Sequence, residues 1–194
     1  MNWPPYATLE NAWVRLEPID QAHRAGLRLA ADDQELWRFY PDRGDGQYFD
    51  AFFDLRYQLA RAGTWQAYTV IRRLDGKIVG QTCFLAIVPD HLRLEIGGTW
   101  YCASAQASAI NPAAKLLMFE TAFASGARRV ELKTDALNAR SRAAIAKLGA
   151  KEEGIFRAHM SMWDGHVRDT VYFSLLCTEW PNARAVLLRR LECP

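Results

Sequence analysis

The chain has 194 residues, a formal net charge of +2 at pH 7, and hydrophobic and charged shares of 50% and 24%. This composition is typical of a folded globular protein. No apolar run is long enough to span a membrane, no signal peptide is visible in residues 1–5, and no basic run indicates nucleic-acid binding. We therefore expect a single cytoplasmic domain over residues 1–194, with neither a membrane nor a nucleic acid as partner.

The first half of the chain alternates strand and helix patterns. Residues 13–17 predict a strand, and Asp20 is a plausible N-cap for a helix to about residue 30. A second helix is predicted over residues 48–62, with Gly63 just after its end. Strands 66–72 and 77–88 flank Asp75-Gly76, a hairpin signal, and a third strand follows at 92–102. This half therefore predicts a strand, two helices and three antiparallel strands.

The second half begins with a predicted helix over residues 112–125, followed by a strand at 130–134 and a helix at 138–148. Strands 153–162 and 166–176 flank Asp164-Gly165, and Pro181 opens a terminal helix that reaches Leu191. The helix between strands 92–102 and 130–134 implies a parallel crossover. The fold class is therefore α/β, with a mixed, mostly antiparallel twisted sheet of about seven strands, flanked by helices and containing a parallel central pair.

Two helix starts indicate a site for a phosphorylated ligand. The loop Gln106-Ala107-Ser108-Ala109-Ile110-Asn111 leads into the helix that Asn111-Pro112 opens. Backbone N–H groups at a helix N-terminus bind phosphate. A second polar helix start, Asn138-Ala139-Arg140-Ser141, could hold the rest of a long cofactor, which suggests acyl-CoA chemistry. The four histidines lack the spacing of metal ligands, so no metal is predicted.

Several segments together resemble one enzyme family. They are residues 94–97 (LEIG), 131–141 (ELKTDALNARS), 148–154 (LGAKEEG) and 164–174, from Asp164-Gly165 to Phe173-Ser174. With them the chain, from about residue 9 to residue 180, resembles the GCN5-related N-acetyltransferases (GNAT), in the branch of the ribosomal-protein N-terminal acetyltransferases (RimJ/RimL-like). The resemblance implies a GNAT-like fold over residues 9–180, followed by the C-terminal helix at 181–194.

The resemblance also implies the reaction. An acetyl group passes from acetyl-CoA, the cosubstrate, to a primary amine by direct attack in a ternary complex. The acceptor it favours is the N-terminal α-amine of a protein or peptide. A small amine, such as a polyamine, amino acid or antibiotic, is the enzymatic alternative. A protein that binds CoA without turnover is an alternative of another class.

Site residues follow from the same resemblance, position by position. The backbone of Trp100, Tyr101 and Cys102 is expected to pair with the pantetheine arm. The pyrophosphate is expected at Gln106, Ala107, Ser108, Ala109, Ile110 and Asn111. Ala109 stands where the family has glycine, and Asn111 stands where it has glycine or alanine. The methyl group of Ala109 costs little only if the φ angle there is negative.

Two further positions concern catalysis. Glu95 is expected to act as the general base; otherwise it orients the acceptor or pairs with an arginine. Ser141 is expected to protonate or hydrogen-bond the leaving thiolate; otherwise it supports the helix start. Asn138 is expected both to cap that helix and to bind the pantetheine amide.

The remaining expectations concern charge and partners. Arg140, Arg142 and Lys115 either reach a cofactor phosphate or are solvated helix charges. Trp37, Phe39 and Tyr40 are expected beside the acceptor pocket, where Asp42, Asp45 and Asp50 suggest a cationic acceptor. The terminal helix, with Val186, Leu187, Leu188 and Leu191, is expected to pack on the sheet or on a second subunit, which leaves a homodimer open.

Overall fold

A computed structural model of the chain describes residues 3–192. The strands are β1 Leu9–Glu10, β2 Val14–Pro18, β3 Gln66–Arg72, β4 Ile78–Val88, β5 Arg93–Tyr101, β6 Arg129–Asp135, β7 Lys151–Ser161 and β8 Val167–Leu176. The helices are α1 Arg24–Ala31, α2 Phe49–Arg61, α3 Ile110–Ala124, α4 Ala139–Ala146 and α5 Trp180–Glu192. No helix within the described range is long and apolar enough to cross a bilayer.

All eight strands form one sheet in the order β1-β2-β3-β4-β5-β6-β8-β7. Every neighbouring pair is antiparallel except β5 and β6, which are parallel and are joined by α3. The predicted mixed sheet with a central parallel pair is therefore confirmed. The eighth strand, β1, was missed because its two residues are too few to show a periodicity.

The start of α3 differs from the prediction in a way that concerns the phosphate loop. The helix begins at Ile110, two residues before Pro112. Proline is tolerated there because N–H groups of a first turn have no partner within the helix. Asn111 lies inside the helix and does not cap it. The hydroxyl of Ser108 instead accepts the N–H of Ile110 at 3.2 Å.

Apolar side chains cover both faces of the sheet. On one face, Phe84 and Ile96 pack against α3 and α5 in the larger cluster. On the other, Cys83 and Trp100 pack with side chains of α1 and α2. Adjacent strand residues such as Cys83 and Phe84 fall in different clusters because side chains alternate between the faces. Leu187 and Leu191 of α5 are buried in the larger cluster, so the terminal helix packs on the sheet.

A bulge in β5 opens the centre of the sheet. Gln81 of β4 lies opposite Trp100 and Cys83 lies opposite Gly97, so β5 uses one more residue than β4 over this stretch. Gly98 takes a φ of +55°, which glycine adopts without strain. The pairing of β5 with β6 is limited to three residue pairs and ends at Glu95 opposite Glu131. Beyond this point the two strands are no longer paired with each other, and the space between them is called the groove below.

Candidate active site in the groove between β5 and β6

The first wall of the groove is the last part of β5. The side chains of Trp100 and Tyr101 are buried, while β6 leaves the backbone of β5 beyond Glu95 without a strand partner. On the opposite side of β5, Cys102 donates its N–H to Val79 at 2.9 Å. One edge of β5 is therefore already hydrogen-bonded to β4, while the backbone groups on its other edge are open to an extended molecule in the groove.

The loop after β5 is held by its own hydrogen bonds and leaves several backbone amides free to bind a ligand. Gln106 donates its side-chain amide to the carbonyl of Tyr101 at 2.9 Å, and Ser108 donates its hydroxyl to the carbonyl of Ala105 at 2.7 Å. Within residues 3–192, the backbone N–H groups of Ala107, Ser108 and Ala109 have no hydrogen-bond acceptor. They stand immediately before the N-terminus of α3. This arrangement is suited to an anion such as a phosphate.

The φ angles of this loop show whether its alanines strain the backbone. Ala109, in place of the expected glycine, has a φ of −65°, so its methyl group causes no backbone strain. The strained position is Ala107, with a φ of +51°. A non-glycine residue in this region costs about 1 kcal/mol or slightly more. The sequence offered no signal for Ala107, because alanine is not typical of left-handed positions.

The second wall is the end of β6 and the start of α4. Asp135 accepts the N–H of Leu137 at 2.8 Å, and Asn138 accepts the N–H of Ser141 at 3.0 Å. The predicted N-cap role of Asn138 is thereby confirmed. Ser141 is half-buried in the first turn. Arg140 donates to the side-chain oxygen of Gln106 at 2.6 Å, which joins this wall to the loop of the first.

A buried ion pair stands where the two strands separate. Glu95 is 5% exposed, and its Oε2 lies 2.6 Å from Nζ of Lys133 on β6. A Cβ atom at Gly97 would stand 2.6 Å from Oε1 of Glu95, so the carboxylate would have to shift to admit a side chain there. Burial raises the pKa of Glu95, and the charge of Lys133 opposes that shift. A carboxylate with a raised pKa is a stronger base than an ordinary glutamate.

Side chains of β7 and β8 extend this polar face. Nζ of Lys133 lies 4.9 Å from the ring centre of Tyr172, whose own centre lies 4.3 Å from that of Phe156. Nδ1 of His159 lies 3.0 Å from Oγ1 of Thr170. Desolvation, and then the charges of Lys133 and Arg168, lower the pKa of His159. The polar face thus continues outward from Glu95 across three strands.

The turn between β7 and β8 meets the segment that follows α1. Trp163 donates its indole N–H to the carbonyl of Trp37 at 3.0 Å. The rings of Trp37, Tyr40 and Trp100 pack together, and a Cβ at Gly98 would stand 3.4 Å from the hydroxyl of Tyr40. Aromatic side chains of the N-terminal half therefore lie beside the bulge, at the inner end of the groove.

Comparison with known proteins identifies the family. The acetyltransferase (GNAT) domain profile matches residues 14–151. The chain belongs to the GNAT acetyltransferase family. This match covers the groove, its loop and both walls.

Solved structures agree with this assignment. A GCN5-related N-acetyltransferase from Brucella melitensis is 28% identical, with a TM-score of 0.90 over 97% of this chain and 86% of that one. Mycobacterium smegmatis RimJ, solved in complex with CoA-disulfide, is 22% identical, with a TM-score of 0.79 over 97% and 95%. The ribosomal-protein-S5-alanine acetyltransferase of Vibrio fischeri is 16% identical, with a TM-score of 0.72 over 90% and 98%. The last two show a shared fold. A comparison with curated protein sequences gives no match.

As a GNAT protein, the chain is an acyl-CoA-dependent N-acetyltransferase. The structure brings the predicted residues to one groove: Glu95, Trp100 and Tyr101 on β5, Cys102 and the loop after it, and Asn138 and Ser141 on the facing wall. Within residues 3–192 there is no group of three or more side chains suited to hold a metal ion.

One sequence-based expectation about charge was wrong. Lys115 is neither a phosphate ligand nor solvated: it is 4% exposed, and its Nζ donates to Thr99 at 2.7 Å and to Thr82 at 3.2 Å. Burial lowers the pKa of Lys115 to about 7. The side chain of Arg142 is 37% exposed and bonds to Glu152 at 3.1 Å, which agrees with the alternative of a solvated helix charge.

The carboxylates that suggested a cationic acceptor are already paired with arginines. The pairs are Asp42 with Arg56, Asp45 with Arg43, and Asp50 with Arg24 and Arg28. Each arginine satisfies a charge that the sequence left open. These acids therefore give no reason to expect a positively charged acceptor.

Lys133 and Arg168 were missed by sequence reasoning. Lys133 is two residues beyond Glu131, which pairs with Glu95, so the alternation of β6 places it on the same face. That signal becomes readable only after the register of β5 and β6 is known.

Proposed function

We propose that this acetyltransferase transfers the acetyl group of acetyl-CoA to the α-amine at the N-terminus of a protein or peptide, by direct attack in a ternary complex. The observation that carries the proposal is the groove beyond Glu95, with an open strand edge on one wall and a buried carboxylate at its inner end. An α-amine is favoured because the chain shares its fold with a ribosomal-protein-S5-alanine acetyltransferase.

In this proposal the donor binds as an added strand. The pantetheine arm pairs with the backbone of Trp100, Tyr101 and Cys102, and its amide also meets the side chain of Asn138. The pyrophosphate binds the loop of Gln106, Ala107, Ser108 and Ala109 and the first residues of α3, Ile110 and Asn111. The N–H groups of this loop, which have no acceptor in the described part of the chain, support that placement.

The chemical step needs a neutral amine and a protonated leaving group. The amine nitrogen attacks the thioester carbon, so a C–N bond forms and the C–S bond breaks. Glu95 accepts the amine proton through water, and Lys133 stabilises its ionised form beforehand. Ser141 donates a proton to the departing thiolate and regains one from water. An α-amine has a pKa of about 8, so a carboxylate with a raised pKa is a sufficient base.

We also propose that residues 9–180 form a single acetyltransferase domain to which the C-terminal helix belongs. The buried leucines of α5 lie in the same cluster as the side chains of β5, β6 and α3, which supports one shared core. Trp180, at the start of α5, packs on Phe119 and Phe123 of α3.

Two alternatives remain open for experiment. A small amine would use the same groove and the same base. A protein that binds CoA without turnover was suggested by the missing glycine at position 109, and the negative φ of Ala109 weakens that reasoning.

The test has two stages. The first is calorimetric titration with acetyl-CoA and with CoA, for which we expect micromolar binding. The second measures thiol release with peptides whose N-terminus is free or blocked, and with a panel of small amines. We expect turnover only with the free N-terminus. Faster turnover of small amines would favour the first alternative, and CoA binding without any acceptor would favour the second.

A further inference from the structure

A buried arginine without a partner lies near the inner end of the groove. Arg168 of β8 is 6% exposed, and its Nε atom has no hydrogen-bond partner among residues 3–192. Burial lowers the pKa of the Arg168 guanidinium, and the more distant acidic groups do not offset this effect. A buried charge is unfavourable unless an opposite charge contacts it. This guanidinium is therefore prepared for an anion that comes from outside the chain.

The register of the sheet places Arg168 beside the reaction site. Thr170 lies opposite Asp135, the last residue of β6, so Arg168 stands two residues beyond the end of that strand. Because side chains alternate, it shares a face with Thr170 and Tyr172. Its charge acts on Glu95, whose pKa it helps to lower against the effect of burial. Arg168 therefore faces the region in which the acceptor amine must approach.

The acids around Arg168 are already engaged. Glu95 pairs with Lys133 at 2.6 Å. Asp135 accepts the N–H of Leu137, and its other oxygen lies 3.2 Å from Nε2 of His166. Neither acid makes an ion pair with the arginine within the described part of the chain.

The positive charges of Lys133 and Arg168 also act on His159. After desolvation, the charges of Lys133 and Arg168 are the causes that lower its pKa. A potential that disfavours a proton on imidazole favours a bound anion. It also lowers the pKa of an incoming ammonium group, which increases the fraction of the reactive neutral amine.

We propose that the acceptor amine carries a carboxylate and that the guanidinium of Arg168 binds this carboxylate. The inference rests on the proposed acetyl transfer and specifies its acceptor as a peptide or protein with an acidic residue at its start. Two parallel N–H donors of arginine match the two oxygens of a carboxylate. Polyamines, which add positive charge to this face, are poor acceptors.

The test compares acceptors that differ only in one charge. The probes are pairs of tetrapeptides that differ at one of the first two positions, with Asp against Asn or Glu against Gln. Amino acids and their amides form further pairs. We expect kcat/KM for the carboxylate member to exceed that for its neutral partner at least about tenfold, because a charged hydrogen bond contributes about 1.5–3 kcal/mol. In Arg168→Gln this ratio falls to about one. In Arg157→Gln, an exposed arginine on β7, the ratio is unchanged.

A second measurement does not depend on turnover. Calorimetry with CoA present compares N-acetylaspartate and N-acetylglutamate with their amides, as product-like ligands. We expect the carboxylates to bind more tightly than their amides, and this preference to be lost in Arg168→Gln and partly kept in Arg168→Lys. If Arg168→Gln folds poorly, the reduced preference of Arg168→Lys alone supports the inference.

Contrary results separate the two proposals. Equal or faster acetylation of the neutral members would overturn the role of Arg168 and leave acetyl transfer to an amine intact. Carboxylate-dependent binding without turnover of any amine would support the Arg168 site and overturn the proposed function. Equal binding of acids and amides, or binding of neither at millimolar concentration, would overturn the Arg168 site.

Discussion

Arg140 at the start of α4 donates a hydrogen bond of 2.6 Å to the side-chain oxygen of Gln106 in the loop before α3. This bond connects the two walls of the groove next to amides that have no acceptor within residues 3–192. The Arg140 side chain is exposed, so it can move from Gln106 to a phosphate at little cost.

We expect Arg140→Ala to weaken CoA binding about 2- to 5-fold, because one exposed charge contributes up to about 1 kcal/mol. The effect should shrink at high salt, which screens it. Calorimetry at low and high salt measures both quantities. Arg142→Ala is the matched control, since Glu152 holds that side chain. If both variants weaken binding equally, Arg140 has no special place beside the phosphates.

Glu95→Gln should lower kcat about 100-fold or more while leaving the Kd for CoA unchanged. The reason is that burial raises the pKa of Glu95 above its ordinary value, which makes the ionised form a better base. In the native enzyme the rate should fall as the pH falls through this raised pKa, and the variant should lack that acidic limb. Steady-state rates across pH measure it.

Glu131→Gln is the control for that experiment, because Glu131 pairs with Glu95 in the sheet but bonds to Arg129 at 2.9 Å. The acidic limb should survive in this variant and move to lower pH, since the charge of Glu131 helps to raise the pKa of Glu95. An acidic limb that survives in Glu95→Gln would remove Glu95 as the base.

Ser141→Ala should lower kcat about tenfold and change the Kd for CoA little, since a donor to the leaving thiolate acts mainly in the transition state. The helix start should survive, because Asn138 accepts the backbone N–H of residue 141 and not its hydroxyl. Helical content by circular dichroism, measured beside the kinetics, checks this. A native rate would leave Ser141 with only a structural place in the first turn.

The two loop alanines should respond oppositely to glycine. Ala107→Gly should raise the free energy of unfolding by about 0.5 kcal/mol, because glycine relieves the strain of a φ of +51° at some cost in unfolded-state entropy. Ala109→Gly should lower it by about 0.5–1 kcal/mol, because a φ of −65° suits alanine.

Urea denaturation measures both changes. Neither substitution should tighten the binding of CoA. A marked gain in CoA affinity or rate for Ala109→Gly would show that this alanine does impair the enzyme.

Lys115→Met should raise the melting temperature most at a pH below 7. The pKa of Lys115 is about 7 in the folded protein, against an ordinary value of 10.5. The unfolded chain therefore binds more protons between these values, and native stability rises with pH across this interval. Replacing the amine removes that dependence, so the advantage of the variant should decrease from pH 7 towards pH 10.5.

Melting curves at several pH values measure the effect, with Lys147→Met, an exposed lysine, as a control that should show no such trend. A constant difference across pH would mean that Lys115 stays charged in the folded state.

Local chemistry was sufficient to predict much of this molecule. The turn at Asp75-Gly76, the cap at Asn138 and the crossover through α3 each depend on residues close in sequence, and each was found. The contacts of Lys133, Arg168 and Lys115 depend on how distant strands and helices align. The arginine partners of Asp42, Asp45 and Asp50 were missed for the same reason, because the spacing of residues in the sequence does not show which side chains meet in the folded protein.

The three-residue pairing of β5 with β6 has a consequence for the empty enzyme. Within residues 3–192, strand pairing between the five strands on one side of the sheet and the three on the other is limited to this short contact. A donor bonded to both walls would complete the sheet, so substrate availability and resistance to unfolding become linked. A donor concentration of 100 times its Kd adds about 2.7 kcal/mol to the free energy of unfolding. In donor-poor conditions the enzyme would therefore lose durability together with turnover.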